Sequence, residues 1–304
     1  MYKVFISVLE TFMVFGVGAV AYKLKMIDQQ DVGKLSRLCL EFFFPLLTFA
    51  TITRNFTRSN LSDLWLMPLL GLSIMIIGAL LGLLFNRFMR HRTPQRLGTF
   101  HHICAINNYV FLPIIVLQNV FTERNVGLLL VMNVGFTFGF WTIGVMTFTG
   151  VPSAKAVVKS LCSINILAVV LAVAVVLIGI PVPEPIAYTC KYLGDITVPL
   201  MLIIIGVALT QSIKTLHHYK FDMVYLAVVR LIVIPVVIML IFRLLPLDKE
   251  VYETLAVVAL MPAASSSVLI ARQYGGCADM AGQAVVGTTL LSLITMPLLL
   301  KGFF

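Results

Sequence analysis

Residues 104–115 read CAINNYVFLPII. Asn107, Asn108 and Tyr109 stand just ahead of Pro113, in a run that is apolar on both sides. Two carboxamides and a helix breaker inside an apolar segment need a physical reason, and the solvent around the chain supplies the first part of it.

The chain has 304 residues, 60% hydrophobic and 12% charged, with a mean hydropathy of +1.02. Soluble domains carry about 25% charged residues, so a water-soluble globule is excluded. Runs of about 20 apolar residues mark membrane-spanning helices. Ten such runs are predicted, near residues 4–24, 32–53, 64–86, 98–119, 126–148, 157–180, 186–210, 221–245, 252–272 and 281–301. The first contains Glu10, at a depth that demands water or a partner, and it reads as helix 1 rather than a cleaved signal. The net charge of +9 does not indicate nucleic acid, because the basic residues cluster in short connectors. Connectors after odd-numbered helices hold about twice as many Lys and Arg as the others. Both termini are therefore expected outside a cell membrane.

The cysteines, Cys39, Cys104, Cys162, Cys190 and Cys277, form no C-x-x-C pair and read as small hydrophobes, all but Cys277 in apolar segments. Neither a disulfide framework nor a metal site is expected. Adjacent His101 and His102 suit either a proton relay or an ordinary polar position at the interface. His217 and His218 sit in a basic connector.

An offset of 154 residues lays the second half of the chain on the first. RLCLEFFFPLL from Arg37 falls on KYLGDITVPLM from Lys191, so Arg37, Glu41 and Pro45 match Lys191, Asp195 and Pro199. Five helices per copy is an odd number, so the copies enter the membrane from opposite sides, as in many secondary transporters. The expected fold is all-α and polytopic: ten transmembrane helices in two inverted five-helix repeats, residues 1–150 and 151–304. The pairs Arg37/Glu41 and Lys191/Asp195 are i,i+4 neighbours that neutralise each other, or else gating or coupling charges.

The same offset lays AINNYVFLPI on ALMPAASSSV, so helices 4 and 9 carry matching interruptions. Pro113 and Pro262 each remove a backbone donor, and freed backbone groups must line a cavity or meet side chains. Broken helices at corresponding places point to a midplane substrate site, and half-helix N-termini there suit an anion. The candidate substrate-binding residues are Asn107, Asn108, Tyr109, Pro113, Pro262, Ala263, Ser265, Ser266 and Ser267, with Thr48 facing the crossing from helix 2. Arg230, in the middle of helix 8, needs either a carboxylate partner or a substrate anion. Asn133, Thr288 and Thr289 are expected to bond between helices.

EFFFPLLTFATI, NNYVFLPI, LMPAASSSVLIARQYG and SLITMPLLL, spread over the chain, resemble the auxin efflux carrier family in its compact bacterial form. The resemblance implies the architecture of sodium/bile-acid symporters and NhaA-type antiporters, with helices 4 and 9 crossing at their prolines. It further implies a scaffold of helices 1, 2, 6 and 7 and a mobile bundle of helices 3–5 and 8–10. Its members move auxins in plants and malate, malonate or similar carboxylates in bacteria. The Asn-Pro-x-x-Tyr pattern of plant members is absent from both crossings here, which favours a small carboxylate.

The expected function is secondary transport of a small organic anion. Proton or sodium coupling is left open, no cofactor is expected, and the partners are the substrate, the lipid bilayer and a second copy of the chain. The rival is a ligand sensor or partner subunit on the same fold, against which the lack of an attached soluble domain counts. No nucleophile–base pair suggests an enzyme.

Overall fold

The computed structural model describes residues 2–152, 154–212 and 220–303. Lys214, His217 and His218 lie outside them. The described residues form helices and no strand, only one isolated bridge between Asn107 and Ala263.

Six helical stretches are long and apolar enough to cross a membrane: Gln30–Asn55, Leu64–Phe88, Glu123–Thr149, Glu184–Thr210, Phe221–Phe242 and Ala278–Phe303. Backbone polar groups have no water to bond within a bilayer, so a helix, which satisfies them internally, is the local solution. Leu69, Ile76, Leu80, Leu167, Leu171 and Leu298 stay exposed on the outer faces, as expected of side chains that meet lipid tails. The chain is thus a multi-pass membrane protein.

The elements begin with α1 (Tyr2–Lys23), α2 (Gln29–Leu38) and α3 (Phe44–Asn55). They continue with α4 (Met67–Phe85), α5 (Pro94–Ala105), α6 (Phe111–Val120), α7 (Glu123–Gly139) and α8 (Val145–Thr149). The remainder comprises α9 (Ala154–Leu161), α10 (Ile164–Ile178), α11 (Glu184–Gly194), α12 (Thr197–Ser212), α13 (Lys220–Val228), α14 (Ile234–Phe242), α15 (Lys249–Ala259), α16 (Ser267–Gln273) and α17 (Ala278–Phe303).

Side-chain caps place several starts. Asp28 and Asp31 form a reciprocal box at α2, Thr93 caps α5 ahead of Pro94, and Thr122 with Asn125 boxes α7. The run expected as one helix over 157–180 is two: Ser163 accepts the Ile166 N–H and restarts the helix as α10. Cys162, expected among buried apolar residues, is exposed at that junction, whereas Cys39, Cys104 and Cys190 are buried.

Proline explains two wide turns. A π turn over Cys39–Phe43 precedes Pro45 between α2 and α3, and another over Val229–Val233 precedes Pro235 between α13 and α14. A ring that cannot donate leaves a carbonyl behind it free, and an extra residue in that turn accommodates the mismatch. Glu41 lies in the first π turn and Arg230 in the second.

The most extensive helix contact among the described residues joins α1 to α12. A Cβ at Gly18 would overlap the Ile203 carbonyl, and one at Gly206 would overlap the Phe15 carbonyl. Backbone thus lies on backbone, as small residues permit between membrane helices. On the other side α4 packs along α5 and α7.

Candidate functional site

The interruptions expected in helices 4 and 9 are present, and they meet. One gap runs from the end of α5 at Ala105 to the start of α6 at Phe111; the other runs from the end of α15 at Ala259 to the start of α16 at Ser267. The Asn108 N–H donates to the Pro262 carbonyl at 2.8 Å, beside the antiparallel bridge of Asn107 with Ala263. Asn108 and Pro262 are themselves separated by the 154-residue offset, so the point of contact pairs one position of the pattern with its own counterpart. In such a pair both N–H groups usually donate across. Pro262 has none, so that residue pair keeps a single backbone bond.

The two prolines do different work. Pro262 sits within its gap, whereas Pro113 is the third residue of α6. At that position its missing N–H is one of the donors that a helix start leaves unpaired anyway. The break before α6 therefore comes from Ile106–Val110, not from Pro113 itself.

Side chains satisfy the carbonyls that the two gaps release. Asn107 Nδ2 donates to the Val258 carbonyl at 2.6 Å. That bond orients the amide, because the oxygen cannot face a carbonyl. The Ala263 N–H donates to Thr288 Oγ1 at 3.1 Å, and that hydroxyl donates to the Ala284 carbonyl at 2.6 Å. Thr288 thus binds between helices as expected.

Arg230, expected to meet a carboxylate or a substrate anion, meets backbone carbonyls. No carboxylate among the described residues pairs with it. Its Nη2 and Nε donate to the Met261 carbonyl at 2.9 and 3.2 Å, Nη1 to the Cys104 carbonyl at 3.1 Å, and Nη2 to the Ala259 carbonyl at 3.4 Å. Exposed carbonyls at two helix ends stand in for the acid that a buried cation needs. The backbone of α4 comes close enough to the Cys104 carbonyl that a Cβ at Gly78 would overlap it.

The remaining candidates divide. Asn107, Asn108, Pro262, Ala263 and Arg230 come together at the crossing. Tyr109 turns away to pack on Phe136, with ring centroids 4.8 Å apart. Ser267 is buried, Ser266 exposed and Ser265 half-buried. Buried Asn107 Oδ1 and Ser267 Oγ have no protein partner among the described residues. Thr48 is buried, but its hydroxyl donates to the Phe44 carbonyl one turn back, so nothing ties it to the crossing.

Both charge pairs close on themselves: Arg37 Nε lies 3.0 Å from Glu41 Oε2, and Lys191 Nζ lies 2.9 Å from Asp195 Oδ2. Lys191 and Asp195 also line a cavity of about 860 Å³ with Arg54, Arg58, Glu123 and Glu184. A smaller cavity of about 290 Å³ continues past Asp195 to Glu10, between α1, α6 and α12. Glu10 faces that space and accepts a hydrogen bond from Asn119 Nδ2 at 3.2 Å, which accounts for a carboxylate at its depth.

His102, expected as a relay or an interfacial residue, is fully buried, with Nδ1 2.9 Å from the Gly144 carbonyl and its ring against Phe148. Among the described residues no group of three His, Cys, Asp or Glu side chains is placed to hold a metal ion.

Two polar networks escaped the sequence reading. Asp222 is buried and accepts from the N–H groups of Arg90 and His91 at 2.9 and 3.2 Å and from Arg96 Nη2 at 3.2 Å. Asn125 Nδ2 reaches the Glu250 carbonyl, Glu253 and Thr254 at 2.9, 3.3 and 3.2 Å, tying α7 to α15. An acid in the first turn of an apolar helix, opposite the basic RFMRHRTPQR connector, was the available signal for the first. Nothing local announced the second.

A family model described as "Membrane transport protein" matches residues 3–157 and 149–300. Two relatives are similar over nearly their whole length. An uncharacterized transporter of Methanothermobacter thermautotrophicus is 25% identical over 297 residues, 96% of each chain. An uncharacterized transporter of Methanocaldococcus jannaschii is 21% identical over 281 residues, 90% of each chain. The chain belongs to the membrane transport protein family, that of the auxin efflux carriers.

Proposed function

We propose that this family member is a secondary transporter of small organic anions, mono- or dicarboxylates, working by alternating access. The observation that carries the reading is the joint of two interrupted helices, held by the Asn108 N–H on the Pro262 carbonyl. Helices broken at corresponding places of two repeats mark the substrate site in many transporters.

On this reading the helical stretches make ten crossings, in inverted repeats of residues 1–150 and 151–304. The broken helix α5–α6 is the fourth crossing and α15–α16 the ninth. Crossings 1, 2, 6 and 7 form the scaffold, and crossings 3–5 and 8–10 form the bundle that moves against it in an elevator stroke. Both termini lie outside the cell membrane. The 860 Å³ cavity, ringed by connectors after the even-numbered crossings, is then an outer vestibule. Its Arg54, Arg58 and Lys191 attract an anion, while Glu123, Glu184 and Asp195 keep it from binding there tightly.

At the crossing, the first-turn N–H groups of α6 supply partial positive charge, and Asn108 and the Ser265–Ser267 hydroxyls supply donors. Asn107 is a wall of the site more than a ligand, since its amide N–H is engaged by Val258. Arg37, Glu41, Lys191 and Asp195 are gate charges near the ends of their helices.

Uptake of labelled malate, malonate and other small carboxylates into vesicles, with imposed pH and voltage gradients, tests the reading. Saturable flux is expected, with Asn108→Ala and Ser266→Ala reducing it strongly at unchanged expression. Binding without flux, or normal flux in both variants, would refute it.

A further inference from the structure

The Arg230 guanidinium stands where the two interrupted helices present their negative ends. It is 1% exposed, and all four of its hydrogen bonds run to carbonyls in or just past the last turns of α5 and α15. A helix C-terminus carries about −0.5 elementary charge, so two converging ends amount to roughly −1, which a single guanidinium balances. The Val258 carbonyl, which also accepts the Met261 N–H, is taken by the neutral amide of Asn107. Transporters with half-helices otherwise fill such carbonyl clusters with Na⁺ or a proton.

We propose that Arg230 is a tethered cation that permanently fills this cluster, so that the crossing holds no Na⁺ and anion movement does not depend on Na⁺. The clause about movement rests on the transport reading; the clause about occupancy does not. Local structure favours a built-in cation. The π turn over Val229–Val233, adjoining Pro235, carries Arg230 at this depth. The missing Cβ of Gly78 lets α4 close over the Cys104 carbonyl, so the guanidinium is sealed from lipid and water. A planar fork that reaches three carbonyls holds both helix ends at once, which a point charge on a flexible stem does less well.

The test heats purified protein in NaCl, KCl or choline chloride at equal ionic strength. Wild type is expected to unfold at the same temperature in all three. Arg230→Ala is expected to unfold about 5–10 °C lower in choline, since a buried charged partner is lost, and to recover part of that in NaCl or with methylguanidinium. Arg230→Lys, which keeps the charge, is expected to remain insensitive to Na⁺. A wild-type midpoint that rises in NaCl over choline overturns the proposal. So does an Arg230→Ala protein that neither Na⁺ nor methylguanidinium stabilises. If the alanine variant does not fold, wild type and Arg230→Lys decide alone: Na⁺ sensitivity in either overturns it. In vesicles, wild-type carboxylate flux is expected to be equal in NaCl and choline chloride, and loss of flux in choline overturns Na⁺ independence. Absence of flux in both salts refutes transport itself, and the unfolding contrast still decides what fills the cluster.

Discussion

Replacing Asp222 with alanine is expected to cost more stability than any other single change outside the crossing. Its carboxylate is fully buried and pairs with Arg96, itself only 8% exposed at the side chain. It also accepts the backbone N–H groups of Arg90 and His91, so it pins the α4–α5 connector to the first turn of α13. Arg90 reinforces the pin by lying 3.8 Å from the Phe221 ring centroid. Removing one partner of a buried ion pair costs about 3–5 kcal/mol, because the other charge stays buried without its counter-ion. The two N–H groups lie nearer the surface, where water replaces the lost acceptor, and add about 1 kcal/mol between them. A loss of about 4–6 kcal/mol, at about 2–4 °C per kcal/mol for domains of 150–250 residues, lowers the unfolding midpoint by roughly 8–24 °C. Intrinsic fluorescence in detergent reads that midpoint. Asp222→Asn keeps an acceptor but not the charge and should fall between. Adding Arg96→Met to Asp222→Ala should recover part of the loss by removing the stranded cation. An Asp222→Ala midpoint within about 2 °C of the parent, or a double variant no better than the single, would refute the ion-pair account.

Gly78→Ala would drive a methyl into the Cys104 carbonyl, and is expected to cost about 1–3 kcal/mol by overpacking. Flux should fall further than stability alone explains, measured per folded molecule in vesicles. Thr288→Val removes the acceptor of the buried Ala263 N–H at nearly constant volume; a loss of about 1–3 kcal/mol is expected, and thermal unfolding checks it. Lys191→Met should change stability by no more than about 0.5 kcal/mol, because an exposed i,i+4 pair contributes little. If the pair is a gate charge, flux nevertheless changes, and the two readouts separate gate from ornament.

The crossing was legible in the sequence because its signal is local. Asn107, Asn108 and a proline within one apolar run, answered 154 residues later by Pro262 and three serines, declare backbone that cannot face lipid. The splitting of helix 6 at Ser163 carried a local signal as well, a hydroxyl ahead of an apolar run, but hydropathy outweighed it. The partner of Arg230 was not legible in principle. It is a set of main-chain carbonyls from two distant helix ends, and every residue type carries a carbonyl. Thr48 shows a related ambiguity, since a membrane threonine bonds its own helix as readily as a neighbour. Glu10 needed the cavity, which only the packing of α1, α6 and α12 defines.

If, as proposed, the chain is two copies of one unit, each upside down to the other, its end states mirror each other. If the copies were identical, those states would be isoenergetic and the resting population would split evenly between the two sides. Pro262 spoils that equivalence at the point of contact, where one copy donates a hydrogen bond and the other has no hydrogen to return. Across that pair the ninth crossing is held to the fourth by one backbone bond in place of two, beside the Asn107 amide on the Val258 carbonyl. On the proposed transport reading Pro262 biases the balance between the two end states, and substituting it acts on that balance before it acts on the ligand.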